Sequence, residues 1–361
     1  MRVFTSALAF AALVGAAHAQ VPAGYPADYK NIVDAAKKEG KVVIYATTDA
    51  KLMTPIIKDF EAANPGVKVE YGDMNSTEVY NRFISENAAN AASADVVWSS
   101  SMDLQIKLAA DGLAMTYKSP EAGALPDWAK YKDSVYATTF EPIAIVYNKR
   151  LVPADEVPKT HADFVKLLTT KADKYNKKVT TYDAEKSGVG FMLVNQDAKL
   201  DPHFWDVVEA MGARGVNLQS STGTMMERIA SGENLIGYNI LGSYAITRAK
   251  KDPSIGVQIT TDYNLVLSRL AFIGKNAKHP NAGKLFVDYL LSKRGQTLMA
   301  EQADLYSVRT DITGKDSGTG LMKEYGNAIK PIAVSADLLA GLDQTKRLEF
   351  MKQWQASLGR K

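Results

Sequence analysis

Three short runs of hydroxyl side chains stand where chemistry is possible. They are Thr47-Thr48, Ser99-Ser100-Ser101 and Ser220-Ser221-Thr222, the last followed by Gly223. Each run follows a strand-like stretch (VVIYA, ADVVW, GVNLQ) and precedes a helix-like one. A hydroxyl there offers a donor beside backbone N–H groups that have no partner inside the helix. The positive end of the helix dipole favours an anion at that place by about 0.3–1 kcal/mol per helix. Several such starts meeting in one cleft bind phosphate or carboxylate without any lysine. The same residues are also preferred N-caps, which satisfy only their own helix; both readings stand at this point. Ser187-Gly188 in DAEKSGVGF is a fourth candidate, since glycine either lets backbone approach a ligand or makes a tight turn.

Catalytic chemistry has weaker footing. Past the first 19 residues the histidines are His161, His203 and His279, none in a recognisable base position. There is no G-x-S-x-G, no H-E-x-x-H and no Walker-type phosphate loop. SGVGFM lacks the third glycine of a dinucleotide fingerprint. A secreted hydrolase is the rival from another class, but no enzyme activity and no cofactor or metal is expected. Cysteine is absent, so neither disulfides nor a lipidated cysteine serve the chain. Lys and Arg number 43 against 40 Asp and Glu, a balance too even to point to nucleic acid or a membrane surface.

The elements that must position these residues follow from hydrophobic periodicity. MRVFTSALAFAALVGAAHAQ has a basic start, an apolar stretch and the small-x-small ending Ala17-His18-Ala19, the layout of a signal peptide spanning 1–19. That stretch is too short for a membrane span of about 20 residues, so export to the periplasm without membrane insertion is expected. Next, NIVDAAKKEG reads as a helix ended by Gly40, and KLMTPIIKDFEAANPG as a helix stopped at Asn64-Pro65-Gly66. VKVEYG alternates as a strand. Strand, helix, strand at this pitch predicts a mostly parallel sheet with right-handed crossovers. YATTFEPIAIVYNKR (136–150) and DYNLVLSRLAFIGKNA read as two long strands, Pro142 limiting the sheet edge the first can occupy. The expected architecture is α/β with two lobes: 27–138 plus 265–308, and 139–264 plus 309–361. Ligands of such open sheets sit outside the carboxyl ends of the strands. A monomer is the default.

KVVIYATTDAKLMTPIIKDFEAANPGVKVEY, ADVVWSSSMDLQIKLAADG, GKNAKHPNAGKLFVDYLLSKRGQ and YSVRTDI together resemble the ferric-binding-type branch of periplasmic solute-binding proteins of ABC importers. The resemblance covers residues 27 to 315. It implies a two-lobed fold with crossing hinge strands, closure around one small-molecule ligand in a central cleft, and delivery to a membrane permease. Iron-binding members of that family carry adjacent tyrosines after a second-lobe strand. The corresponding stretch here, NILGSYAITRA, has Tyr244 followed by Ala245, and Tyr238 falls within the strand pattern. Within the family the organophosphate-type receptors are most similar, through WSSSMD, TYDAEKSGVGF and SSTGTMMERIASGE. The expected ligand is therefore a small phosphorylated or carboxylated metabolite, with ferric iron as the alternative. Thr47, Thr48, Ser99, Ser100 and Ser101 would hold it from the first lobe. Ser187, Ser221, Thr222 and Tyr244 would close on it from the second. Arg309, in SVR, either adds charge at the cleft or packs against a carboxylate.

Overall fold

In a computed structural model the described residues are 21–360; the signal-like segment 1–19 lies outside them. The strands are β1 (Lys41–Ala46), β2 (Lys68–Asp73), β3 (Val96–Ser99), β4 (Lys130–Tyr131), β5 (Val135–Ala137), β6 (Glu141–Asn148), β7 (Val179–Tyr182), β8 (Asn217–Gln219), β9 (Ile236–Leu241), β10 (Ile255–Gln258), β11 (Asn264–Leu267), β12 (Leu270–Ile273) and β13 (Ile329–Pro331). The helices are α1 (Tyr29–Glu39), α2 (Ala50–Ala63), α3 (Ser76–Ala88), α4 (Met102–Ala110), α5 (His161–Thr170), α6 (Ala172–Tyr175), α7 (Gly188–Leu200), α8 (Phe204–Ala213), α9 (Thr222–Ser231), α10 (Gly242–Lys251), α11 (Pro280–Leu291), α12 (Lys293–Ala303), α13 (Gly318–Tyr325) and α14 (Gln344–Ser357).

Local signals account for many of these boundaries. Gly40 ends α1 at φ 76°, a left-handed conformation that glycine adopts without penalty. Asn75 and Glu78 form a capping box at α3, as do Thr160 and Asp163 at α5. The strands are buried where they cross the lobes: Val96 to Trp98, Val179 to Tyr182 and Ile236 to Leu241 are all covered.

The first sheet has strand order β2-β1-β3-β12-β5-β4, the second β13-β11-β6-β9-β7-β8 with β10 also paired to β6. Only β2, β1 and β3 run parallel in the first sheet; β12 is antiparallel to both β3 and β5. The expected mostly parallel sheet is therefore mixed. The reason is topological: β5 carries the chain out of this sheet and β12 brings it back, so the two oppose each other. The two long strands of the sequence reading are each broken. The first changes sheets between Ala137 and Glu141, the second between Leu267 and Leu270. β11, assigned in part to the first lobe, bonds to β6 and β13 of the second sheet, so the return falls at Ser268-Arg269. Nor does Pro142 hold β6 at an edge. The strand lies between β11 and β9, and the β9 pairing begins only at Ile143, where the missing N–H costs nothing.

The two crossing segments are sewn together. Thr138 N–H and its hydroxyl both donate to the Arg269 carbonyl (3.0 and 2.8 Å), and Arg269 N–H donates to Thr139 Oγ1 at 2.8 Å. The Ser268 hydroxyl donates to the Thr139 carbonyl. Trp98, fully buried, donates its indole N–H to Thr138 Oγ1 at 2.7 Å. These bonds put the hinge directly beneath the ends of β1 and β3, where the candidate site begins.

Candidate ligand-binding site

Strand ends and helix starts from both lobes face one another across a cavity of about 410 Å3. Its wall takes Thr47 and Asp49 from the β1–α2 turn, Asp73, Asn75 and Ser76 from β2–α3, and Ser100 from β3–α4. From the other lobe come Tyr182 and Val189 at β7–α7, Ser220 to Thr224 at β8–α9, and Leu241 and Tyr244 at β9–α10. The volume lies within the range of small-molecule sites, about 300–1,000 Å3.

Five of the sequence-predicted residues, Thr47, Ser100, Ser221, Thr222 and Tyr244, line this cavity. Thr47 Oγ1 accepts from Ser100 N–H at 3.0 Å and lies 3.2 Å from Ser100 Oγ, which locks the β1–α2 and β3–α4 loops together. Ser221 caps α9 through Thr224 N–H at 3.2 Å. The Thr222 hydroxyl is bonded to the Tyr182 hydroxyl. Thus the capping and lining roles of Ser221 coexist. The start of α10 differs: its N-cap is Leu241, and no side chain caps it.

Four predicted residues do not line the cavity. Thr48 is fully buried, and its carbonyl accepts from Tyr71 at 2.7 Å. Ser99 accepts from Ser101 N–H at 3.2 Å. Ser101 faces α7 instead: a Cβ on Gly188 would lie 2.8 Å from its hydroxyl. Ser187 caps Gly190 N–H at 3.2 Å. The N–H groups at the start of α7, for which ligand approach and a tight turn were both open, are used between lobes. Gly188 N–H donates to Thr77 Oγ1 and Val189 N–H to Ser76 Oγ, both at 3.2 Å.

The sequence reading missed Asp49 and Asp73. Tyr244 donates its hydroxyl to Asp49 Oδ1 at 2.8 Å and accepts from Asp49 N–H at 3.2 Å, bridging the two lobes. Asp73 Oδ2 accepts from Ala50 N–H at 3.0 Å. Their position was the available signal: Asp49 directly follows Thr47-Thr48, and Asp73 is the last residue of β2.

Among the described residues no lysine or arginine lines the cavity. Arg269 lies beneath it, with no solvent exposure, and makes a two-pronged pair with Glu141 (2.9 and 3.1 Å), which is equally buried. Its Nη1 also donates to the Thr47 carbonyl at 3.0 Å. Burial opposes the guanidinium charge, but Glu141, with Tyr244 and Tyr71 acting in the same sense, more than offsets this and the net shift is upward. Glu141 also accepts from the Ser243 hydroxyl. Burial raises the Tyr244 phenol well above its ordinary value, with Arg269 acting in the opposite sense. The Tyr182 phenol is pushed up to about 12, chiefly by burial. Arg309 packs against Glu121 (2.5 Å) and Asp311 (2.7 Å) and is not part of the cavity wall. Tyr238 is a core residue, stacked on Phe164. His161 and His279 are held by Asp262 and Asp95, and exposed His203 by Asp206.

Two α/β lobes, joined by two crossing segments and enclosing one polar cavity built from strand ends of both, define a two-lobed periplasmic-binding-protein fold. Residues 55–321 match the bacterial extracellular solute-binding protein family, and the chain belongs to it. A substrate-binding protein of an ABC transporter from Agrobacterium tumefaciens superposes with a TM-score of 0.85 at 36% identity, over 88% of this chain and 94% of that one. AfuA of Actinobacillus pleuropneumoniae, solved with fructose 6-phosphate bound, has a TM-score of 0.72 at 19% identity, over 89% of this chain and 99% of that one. Iron-bound HitA of Pseudomonas aeruginosa has a TM-score of 0.67 at 19% identity, over 88% of this chain and 99% of that one. The chain is thus a solute-binding receptor of the ABC-importer class and not an enzyme. That class implies a small-molecule ligand and a permease partner. Among the described residues no helix is long and apolar enough to cross a membrane.

Proposed function

We propose that this receptor captures a small anionic metabolite, phosphorylated or carboxylated, in the interlobe cavity and delivers it to an ABC permease. The observation that carries the reading is the meeting of helix starts α9 and α10 with Ser100 on one cavity. Hydroxyls there converge from both lobes, each helix adding the positive end of its dipole. Ferric iron fits less well. Tyr244 is followed by Ala245 and preceded by Ser243, which is turned toward Glu141, so it has no phenolate neighbour in sequence. The likeness to AfuA and HitA is one of fold, and the ligand is argued here from the cavity.

Capture proceeds by hinge closure about Thr138–Phe140 and Ser268–Arg269. The closed state alone lets a ligand touch both lobes, and ligand therefore populates it. The receptor acts as a monomer in the periplasm, reached through cleavage of residues 1–19. A thermal-shift screen of the mature protein tests the ligand class, with sugar phosphates, phosphonates, organic acids, polyamines, thiamine and ferric citrate. A phosphorylated or carboxylated compound at 100 times its Kd should stabilise the protein by about 2.7 kcal/mol. Selective stabilisation by thiamine, or a tyrosinate–iron colour on adding ferric salt, would refute the reading.

A further inference from the structure

The two lobes also meet beside the cavity, along a seam made by protein groups alone. Ser76 and Thr77, the first residues of α3, face the start of α7 in the other lobe. Thr77 Oγ1 donates to the Lys186 carbonyl and accepts from Gly188 N–H, and Ser76 Oγ accepts from Val189 N–H, all at 3.2 Å. Met102 N–H, at the start of α4, donates to Met192 Sδ at 3.2 Å. Met102 Sδ in turn accepts from Ser268 N–H at 3.4 Å, so the seam runs down to the hinge. Neutral bonds of this kind add little net free energy, because water replaces them when the lobes part. How firmly the seam holds therefore depends on its packing. Gly188 is a point of close approach: a Cβ there would lie 2.8 Å from Ser101 Oγ, 2.9 Å from Leu104 Cδ1 and 3.2 Å from Ser76 Oγ, all in the first lobe. Its φ is not positive, so the missing side chain serves the approach and not a turn. The Ser101 hydroxyl beside it is fully buried and has no hydrogen-bond partner among the described residues. Burying that hydroxyl unpaired penalises the closed seam, and parting the lobes relieves it.

We propose that Gly188 and Ser101 are positioning residues that set the balance between open and closed lobes. Neither lines the cavity. Gly188 permits the seam, and the orphaned Ser101 hydroxyl keeps it from holding the empty receptor shut. The ligand then tips a balance that is already close, and release to the permease stays within reach. The inference holds whichever solute fills the cavity.

The chain has no cysteine, so Lys51→Cys with Glu227→Cys, exposed residues on α2 and α9, takes one spin label in each lobe. Pulsed electron–electron resonance on the ligand-free mature protein reads the distance between them. The labelled pair should show a short and a long population. Gly188→Ala should cut the closed-to-open ratio about fivefold or more, through overpacking. Ser101→Ala should raise it about fivefold or more, since no unpaired hydroxyl is then buried. Combining the two should restore part of the Gly188→Ala loss, because one clashing atom is gone. Thermal unfolding of each variant should stay cooperative, alanine being the better helix former at 188. Lower melting temperatures with an unmoved distance ratio would assign both residues a merely structural role and overturn the inference. A single distance that neither substitution moves, or shifts of the same sign in both variants, would overturn it too.

Discussion

Arg269 and Glu141 hold the hinge with opposite charges that no solvent reaches, and removing either one should have an unequal, pH-marked cost. Removing one partner of such a pair typically costs about 3–5 kcal/mol, because the other is left buried and uncompensated. In Glu141→Gln the guanidinium has no way to shed its charge, since arginine does not deprotonate in proteins. At about 2 °C per kcal/mol for a chain of this length, the melting temperature should fall by about 6–10 °C. In Arg269→Met the stranded carboxylate does have an escape. It keeps the hydroxyls of Thr139 (2.8 Å) and Ser243 as donors, and it takes up a proton when ionisation becomes too costly. An ordinary glutamate titrates near 4.3, so protonation caps the penalty at about 4 kcal/mol at pH 7 and about 1 kcal/mol at pH 5. Arg269→Met should therefore recover most of its loss at pH 5, and Glu141→Gln should not. The double variant Glu141→Leu with Arg269→Met should be more stable than Glu141→Leu alone. Calorimetry of the apo protein at both pH values reads all of this. A Glu141→Gln shift under about 2 °C, or a pH-independent Arg269→Met, would refute the account of the hinge.

Two further predictions concern the same neighbourhood. A Cβ at Gly242 would sit 2.4 Å from the Pro142 carbonyl oxygen, so Gly242→Ala must push α10 off the hinge strand. It should destabilise by about 1–3 kcal/mol in chemical denaturation and weaken ligand binding; an unchanged midpoint would show that the backbone yields freely. At the start of α4, burial pushes the Asp103 carboxyl from 3.8 up to about 7. The folded state therefore binds this proton more tightly than the unfolded chain, and stability falls as pH rises from about 4 through about 7. Asp103→Asn should match the wild type at pH 4 and exceed it at pH 8 by up to about 4 kcal/mol. Urea titrations at the two pH values check the sign, and a loss of equal size at both would contradict it.

Local pattern made the individual elements legible, because what ends α1 or starts α3 lies within a few residues of the end itself. What makes a chain change sheets does not. Thr138 to Phe140 are strand-forming residues, and Ser268-Arg269 interrupts its run only slightly, so each crossing segment reads as continuous. They break because each strand must serve two sheets, and because Arg269 finds Glu141 across 128 residues of sequence. The site divides along the same line. A hydroxyl after a strand has a known address, which is why Thr47, Ser100, Ser221 and Thr222 were within reach. Neighbouring residues in an extended turn point to opposite sides, however, and so Thr48, Ser99 and Ser101 turn into the protein while Thr47 and Ser100 face the cavity. Looking only for donors hid the acceptors. Asp49 and Asp73 occupy the same kind of strand-end position as the serines, and their charge changes the meaning of the cleft. Donors alone would describe a trap for any small anion. Donors from both lobes beside carboxylates of the first describe a cavity that also offers acceptors to its ligand.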